Sequence, residues 1–177
     1  DWMHEGIDYC VLFGLMNGVD KNQFDPMGQT TRAMLVSILY RMAGEPDVSE
    51  LPEAPFVDVS DDTWYTAAVR WAYANEVVLG TDDTHFAPDA RLTRAQLVTM
   101  LYRAYGPEKG VRPRPIGGYT DWNTVPEWAY PAATWAVSMG LLYGTSSTEL
   151  SPNTGANRAQ LALFMMRTCR LQGELDS

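Results

Sequence analysis

The sequence predicts an all-α fold of three helix-loop-helix repeats that share one core, and three observations predict it. Arg32, Arg94 and Arg158 occupy one slot in "TTRAM", "LTRAQ" and "ANRAQ", at spacings of 62 and 64 residues. Those offsets, applied to the thirty residues before each Arg, align without a gap. Trp2, Trp64 and Trp128 superpose, as do Gly18, Gly80 and Gly144, and Pro26, Pro88 and Pro152. Apolar residues on either side of these markers recur at helical spacing. The repeats read as residues 1–45, 54–108 and 117–173, joined by connections at 46–53 and 109–116.

Composition fits a folded chain. The 177 residues are 46% hydrophobic and 20% charged, too apolar for disorder. A helical hairpin of this size cannot hide its own apolar faces, so the three copies should share one core. A net charge of −9 and a pI near 4.6 argue against a nucleic-acid surface. No apolar run is long enough to span a membrane. The chain opens at Asp1-Trp2, inside its first repeat, and reads as a piece of a longer or processed polypeptide.

The first helix of repeat 2 should run from near Thr63 to near Asn75, capped by Asp61 or Asp62. Its buried stripe is Trp64, Ala67, Ala68, Trp71 and Ala72. Repeat 3 follows with Trp128, Ala132, Trp135, Ala136 and Met139, its Pro126 and Pro131 falling in the first turn, where proline is tolerated. Repeat 1 offers a weaker stripe: Trp2, Ile7, Tyr9, Cys10 and Phe13. Gly14 and Gly140 should end two of these helices. In repeat 2 that slot holds Glu76, so Asn75 is expected to take the left-handed turn.

A loop follows in each repeat: "NGVDKNQFDPMGQT", "LGTDDTHFAPDARL" and "YGTSSTELSPNTGA". Gly18, Gly80 and Gly144 suit a positive φ or a close backbone approach. The second helices are the most apolar stretches and should bundle centrally. Thr93 with Gln96 forms a capping box, Asn157 with Gln160 a plausible one, and Met34 breaks the pattern in repeat 1. Gly106-Pro107 stops the second helix of repeat 2.

An aromatic-x-Asp segment precedes the first helix in "FVDVSDDTW" and "YTDWNTVPEW". The string F-x-D-V, a Trp at a helix head, a G-x-x-D-x-x-F-x-P loop and a T-R-A opening together resemble the S-layer homology domain. The resemblance covers nearly the whole chain. It implies a three-lobed all-α domain with pseudo-threefold symmetry. In that family the domain tethers proteins non-covalently to secondary polysaccharides of the bacterial cell wall, commonly pyruvylated, bound in grooves between lobes. It implies a cell-surface location, a covalently linked cargo domain elsewhere in the polypeptide, and no cofactor, metal, nucleic acid or membrane span.

The resemblance gives meaning to an Arg at the first position of a helix, where a cation opposes the helix dipole. Arg32, Arg94 and Arg158 can meet a ketal carboxylate as two-pronged donors beside the helix amides. The alternative is a salt bridge from each Arg to an Asp such as Asp58 or Asp121. Under the binding reading the glycan-contacting set is Arg32, Arg94, Arg158, Gln96, Gln160, Trp2, Trp64, Trp128, Asp58, Asp121, Gly18, Gly80 and Gly144. The three Trp residues are expected to be mostly core, with a sugar-facing edge. Capping chemistry ranks the arginines Arg94, Arg158, Arg32, with the fold surviving their loss.

Other classes are weighed against this. A glycan-acting enzyme is the minor alternative: His4 and His85 occupy non-equivalent positions without a nucleophile motif, and a carboxylate pair is defined by its separation in space rather than in sequence. Asp20, Asn22 and Asp25 lack the spacing and closing Glu of a calcium loop. An interaction scaffold without glycan binding shares the fold. Cys10 and Cys169 read as buried thiols, although a bridge would staple the first repeat to the last.

Overall fold

The computed structural model describes residues 2–106 and 115–175. Asp1 and residues 109–114 of the second connection lie outside the described residues. Six α-helices carry the fold: α1 (Trp2–Leu12), α2 (Arg32–Met42), α3 (Thr66–Ala74), α4 (Arg94–Tyr105), α5 (Tyr130–Ser138) and α6 (Arg158–Leu175). Among the described residues there is no strand, only isolated backbone bridges.

Helix, loop and helix follow one another three times, but each second helix packs on the first helix of another unit. α2 packs on α3, α4 on α5, and α6 returns to α1, which closes a ring. Small residues make these crossings close. Ala68 and Ala132 are buried, and in α1 their equivalent is Gly6, where a Cβ would lie 2.8 Å from the Leu163 backbone nitrogen. The expected direct bundling of the second helices is replaced by a knot of the segments that enter them. Thr30, Leu92 and Ala156 are buried at equivalent positions. The Leu92 amide donates to the Thr30 carbonyl, and the Ala156 amide to the Leu92 carbonyl, both at 2.9 Å. The Thr30 hydroxyl closes the circuit on the Ala156 carbonyl at 2.8 Å.

The helix ends correct four expectations. Met34 does complete a capping box, because the polarizable thioether accepts weakly from the Thr31 amide at 3.4 Å. Neither Asp61 nor Asp62 caps α3. It begins at Thr66, after a turn in which the Thr63 amide donates to the Thr66 hydroxyl at 2.9 Å. Glu76, not Asn75, takes the left-handed turn (φ 58°), in register with Gly14 and Gly140. The next amide must reach back into the helix, and Val77 does so to Ala72, as Leu15 does to Cys10 and Leu141 to Ala136. Phe13 is 61% exposed and stands outside the stripe of α1, whose buried residues are Gly6 and Cys10.

Candidate functional site

The second helices start inside the protein. The Arg32 amide donates to the Ala90 carbonyl and Ala33 to Pro88. Arg94 and Ala95 donate to Thr154 and Pro152, and Arg158 and Ala159 to Gly28 and Pro26. The third amide of each helix is held by its cap, Thr31, Thr93 or Asn157. No amide is left for an anion, so the ready-made helix-terminus site expected from sequence is not there.

Nor do the arginines form salt bridges among the described residues. Arg32, Arg94 and Arg158 are 5%, 4% and 8% exposed, and they reach carbonyls of the neighbouring repeat's loop. Arg32 Nε donates to Phe86 O at 2.8 Å. Arg94 Nε donates to Leu150 O at 3.0 Å and its Nη2 to Tyr143 O at 2.7 Å. Arg158 uses Phe24 O at 2.8 Å and Asn17 O. Each guanidinium also lies over an aromatic ring, at 4.9, 5.9 and 4.6 Å respectively from Phe86, Phe164 and Phe24. The aspartates serve elsewhere. Asp58 accepts from the Phe86 and Ala87 amides at 2.9 and 2.7 Å, and Asp121 from Leu150 and Ser151 at 2.8 Å each. They brace the loops from outside and line none of the three grooves described next.

Three grooves repeat around the ring, each assembled from all three repeats. The largest, about 350 Å³, takes the Gly80 loop and Gln96, Thr99 and Arg103 from repeat 2, Arg32 from repeat 1 and Trp128 from repeat 3. A second, about 330 Å³, combines the Gly144 loop, Gln160 and Arg167 with Arg94 and Trp2. The third, about 210 Å³, combines the Gly18 loop, Met34, Ser37 and Arg41 with Arg158 and Trp64. The tryptophans are not core residues. Trp2, Trp64 and Trp128 are 53%, 65% and 54% exposed, because each precedes or opens its helix at the rim of a groove. The core role falls to Trp135, at 2% exposure. At Gly144 a Cβ would stand 2.2 Å from the Ser146 carbonyl, so the loop can fold back on itself only without a side chain.

The second arginine in each groove is what sequence reasoning missed as a site. Arg41, Arg103 and Arg167 follow Tyr40, Tyr102 and Met166, a repeated feature one helix length past the first Arg. Arg41 donates to Leu15 O at 3.0 Å, and Arg167 to Leu141 O at 3.3 Å while lying 4.5 Å over Tyr143. Arg103 has no hydrogen bond or ion pair among the described residues. Burial, and then the positive charge of Arg103, lower the Arg32 pKa to about 10, with Asp58 acting the other way. Desolvation also lowers Arg94, Arg103, Arg158 and Arg167. All remain cations at neutral pH, so every groove presents positive charge on an otherwise acidic chain. Among the described residues no His, Cys, Asp or Glu cluster could hold a metal, and no helix is long and apolar enough to cross a membrane.

The S-layer homology domain model matches residues 55–98 and 118–162, together half of the chain. Among similar proteins, an S-layer protein of Bacillus thuringiensis subsp. finitimus is 26% identical over 94% of this chain and 20% of its own length. The surface-layer 125 kDa protein of Lysinibacillus sphaericus is 29% identical over 93% of this chain and 14% of its own. An endoglucanase of Bacillus sp. (strain KSM-635) is 30% identical over 81% and 15%. The chain thus spans a fifth or less of these relatives. It belongs to the S-layer homology domain family, whose members work at the bacterial cell surface.

Proposed function

We propose that this chain anchors a larger protein to the wall by binding a secondary cell-wall polysaccharide, pyruvylated or otherwise acidic, in its inter-repeat grooves. In this reading residues 1–45, 54–108 and 117–173 are the three repeats, and the cargo lies elsewhere in the polypeptide. The domain is a binding module; in a relative named as an amylopullulanase the match covers 9% of the protein's length.

One observation carries the reading: a paired arginine, a glycine loop and a half-exposed indole recur in all three grooves. The indole offers a sugar an apolar face, and the arginines offer a carboxylate charge-assisted donors. A guanidinium has five N–H groups. Among the described residues Arg94 and Arg158 each engage loop carbonyls through two nitrogens, Arg32 through one, and Arg103 through none. The Trp128 groove therefore holds the most open donors, in two cations, with Arg103 close enough to depress the basicity of Arg32. This reorders the ranking by capping, placing that groove first for an acidic sugar.

Titration of purified wall polysaccharide, native and depyruvylated, against the chain and Arg103→Gln tests this. A charge-assisted hydrogen bond at about 1.5–3 kcal/mol predicts roughly a 10- to 100-fold loss for the variant on the native polymer. Equal affinity of the unaltered chain for both polymers would remove the ketal carboxylate as the recognised group, and no binding to either would leave the fold with a scaffold function.

A further inference from the structure

The three grooves share their arginines, glycine loop and indole, but the helix along each carries different residues at its third and sixth positions. Met34, Gln96 and Gln160 are equivalent, and so are Ser37, Thr99 and Leu163. Every one of them lines its groove. The Trp64 groove, which holds Met34 and Ser37, is thereby unlike the other two.

Ser37 is 6% exposed, and its Oγ is the one buried side-chain nitrogen or oxygen among the described residues that has no hydrogen-bond partner. A hydroxyl inside a helix can return its proton to the carbonyl four residues back. Thr99, the counterpart of Ser37, does so to Ala95 O at 2.8 Å, and Thr168 to Phe164 O at 2.8 Å. Leu163 has no hydroxyl to satisfy. A buried hydroxyl with its bonds unmade is a cost that the fold leaves standing.

The surroundings narrow what can meet that hydroxyl. Leu15, Met16 and Ile38, in the same groove, are 8%, 3% and 2% exposed. Arg158 and Arg41 are tied to the Phe24, Asn17 and Leu15 carbonyls. One O–H cannot replace the several donors that a carboxylate loses on leaving water, so the group it receives is uncharged. Access runs past Met34, one turn before Ser37 on the same helix face. Gln96 and Gln160 are held at this position, accepting from the Thr93 and Asn157 amides at 3.1 and 3.2 Å. Met34 Sδ accepts only weakly from the Thr31 amide, at 3.4 Å, and its unbranched side chain gives way at small cost.

We infer that Ser37 determines the specificity of the Trp64 groove: with Met34 swung aside, its hydroxyl exchanges a hydrogen bond with a sugar hydroxyl of an uncharged unit of the bound polymer. The inference rests on the polysaccharide reading above and adds that the grooves are not read alike. The Trp128 groove takes an acidic unit and the Trp64 groove a neutral one.

Isothermal titration with purified wall polysaccharide, native and depyruvylated, tests this. Ser37→Ala should bind both polymers about 2- to 10-fold more weakly than the unaltered chain, the loss expected for one neutral hydrogen bond. Arg103→Gln should lose more on the native polymer than on the depyruvylated one. The Tm of Ser37→Ala should hold or rise, since the change removes an unmade bond and Ala suits a helix interior. Parent-like affinity of Ser37→Ala for both polymers, or a loss confined to the native one, overturns the inference and leaves the polysaccharide reading in place. A fall in its Tm of about 2 °C or more overturns it as well, because the hydroxyl would then be bonded within the fold. No binding of either polymer by the unaltered chain removes the polysaccharide reading and this inference with it.

Discussion

Arg94→Ala should destabilise the fold, and the structure gives the size of the effect. The side chain is 4% exposed and joins α4 of repeat 2 to the loop of repeat 3 through Leu150 O and Tyr143 O. Removing it leaves two carbonyls without that partner, at about 1–3 kcal/mol each for a buried acceptor. Relief of a cation at a helix start returns at most about 1 kcal/mol. The net loss is about 3 kcal/mol, which for a chain of this length lowers Tm by about 6–12 °C. Differential scanning calorimetry of the two proteins at equal concentration reads this directly. Arg94→Lys should recover only part of the loss, because an ammonium lacks the planar fork that meets two carbonyls at once. A Tm within 2 °C of the parent for Arg94→Ala would show that the cross-repeat bonds add nothing. The sequence-based expectation that the fold survives this change unaltered would then stand.

Three further outcomes are expected. Asp121→Ala leaves the Leu150 and Ser151 amides without their acceptor and should lower Tm by about 4–8 °C, measured by circular dichroism, since about 2 kcal/mol is lost. Binding of an acidic polymer in the Trp128 groove should stay level through neutral pH and decline as pH rises through about 10. The folded pKa of Arg32 is lowered to that value, so the cation the ligand needs is present below it and lost above it, and isothermal titration across pH reads the midpoint. Thiol titration should find Cys10 unreactive in the native protein, where burial and the neighbouring Cys169 push its pKa to about 12, and two free thiols once the unreduced chain is denatured. Absence of thiols in the denatured, unreduced chain would mean that the two are bridged.

The all-α class and the second helices were legible in the sequence because repetition supplied three versions of every signal. A cap weak in one copy was clear in another, and Thr93 with Gln96 located α4 to the residue. What the pattern could not show was pairing. An amphipathic stripe reports that a face is buried, not which helix buries it, so α2 meeting α3 rather than α1 was out of reach. The tryptophans were misjudged for a related reason: helical spacing placed Trp64 on the apolar stripe, but the helix starts two residues later, and before its start the stripe has no direction. The outward role of Asp58 was hidden because a carboxylate opposite an Arg in sequence logic looks like its partner. In three dimensions it is nearer to two loop amides that have no other acceptor. Arg103 was visible as a repeated Tyr-Arg pair, and what set it apart from Arg41 and Arg167 is a missing contact, which no sequence pattern encodes.

The ring also changes what a copy of the repeat means for function. Judged copy by copy, repeat 2 has the most complete set, with Thr93, Arg94, Gln96, Asp58 and Gly80. The closed pairing distributes that set: Gln96 and Gly80 face the Trp128 groove, whereas Arg94 faces the Trp2 groove. Each groove is a joint product of three repeats, and each buried Arg both fixes a neighbour's loop and lines the groove that the loop borders. Stability and groove shape are thereby coupled through the same guanidinium. Substitution of Arg32, Arg94 or Arg158 must move both, and a loss of affinity there does not identify a ligand contact. Arg103 breaks this coupling, since no carbonyl among the described residues depends on it. It is the position at which binding can be altered while the ring stays closed.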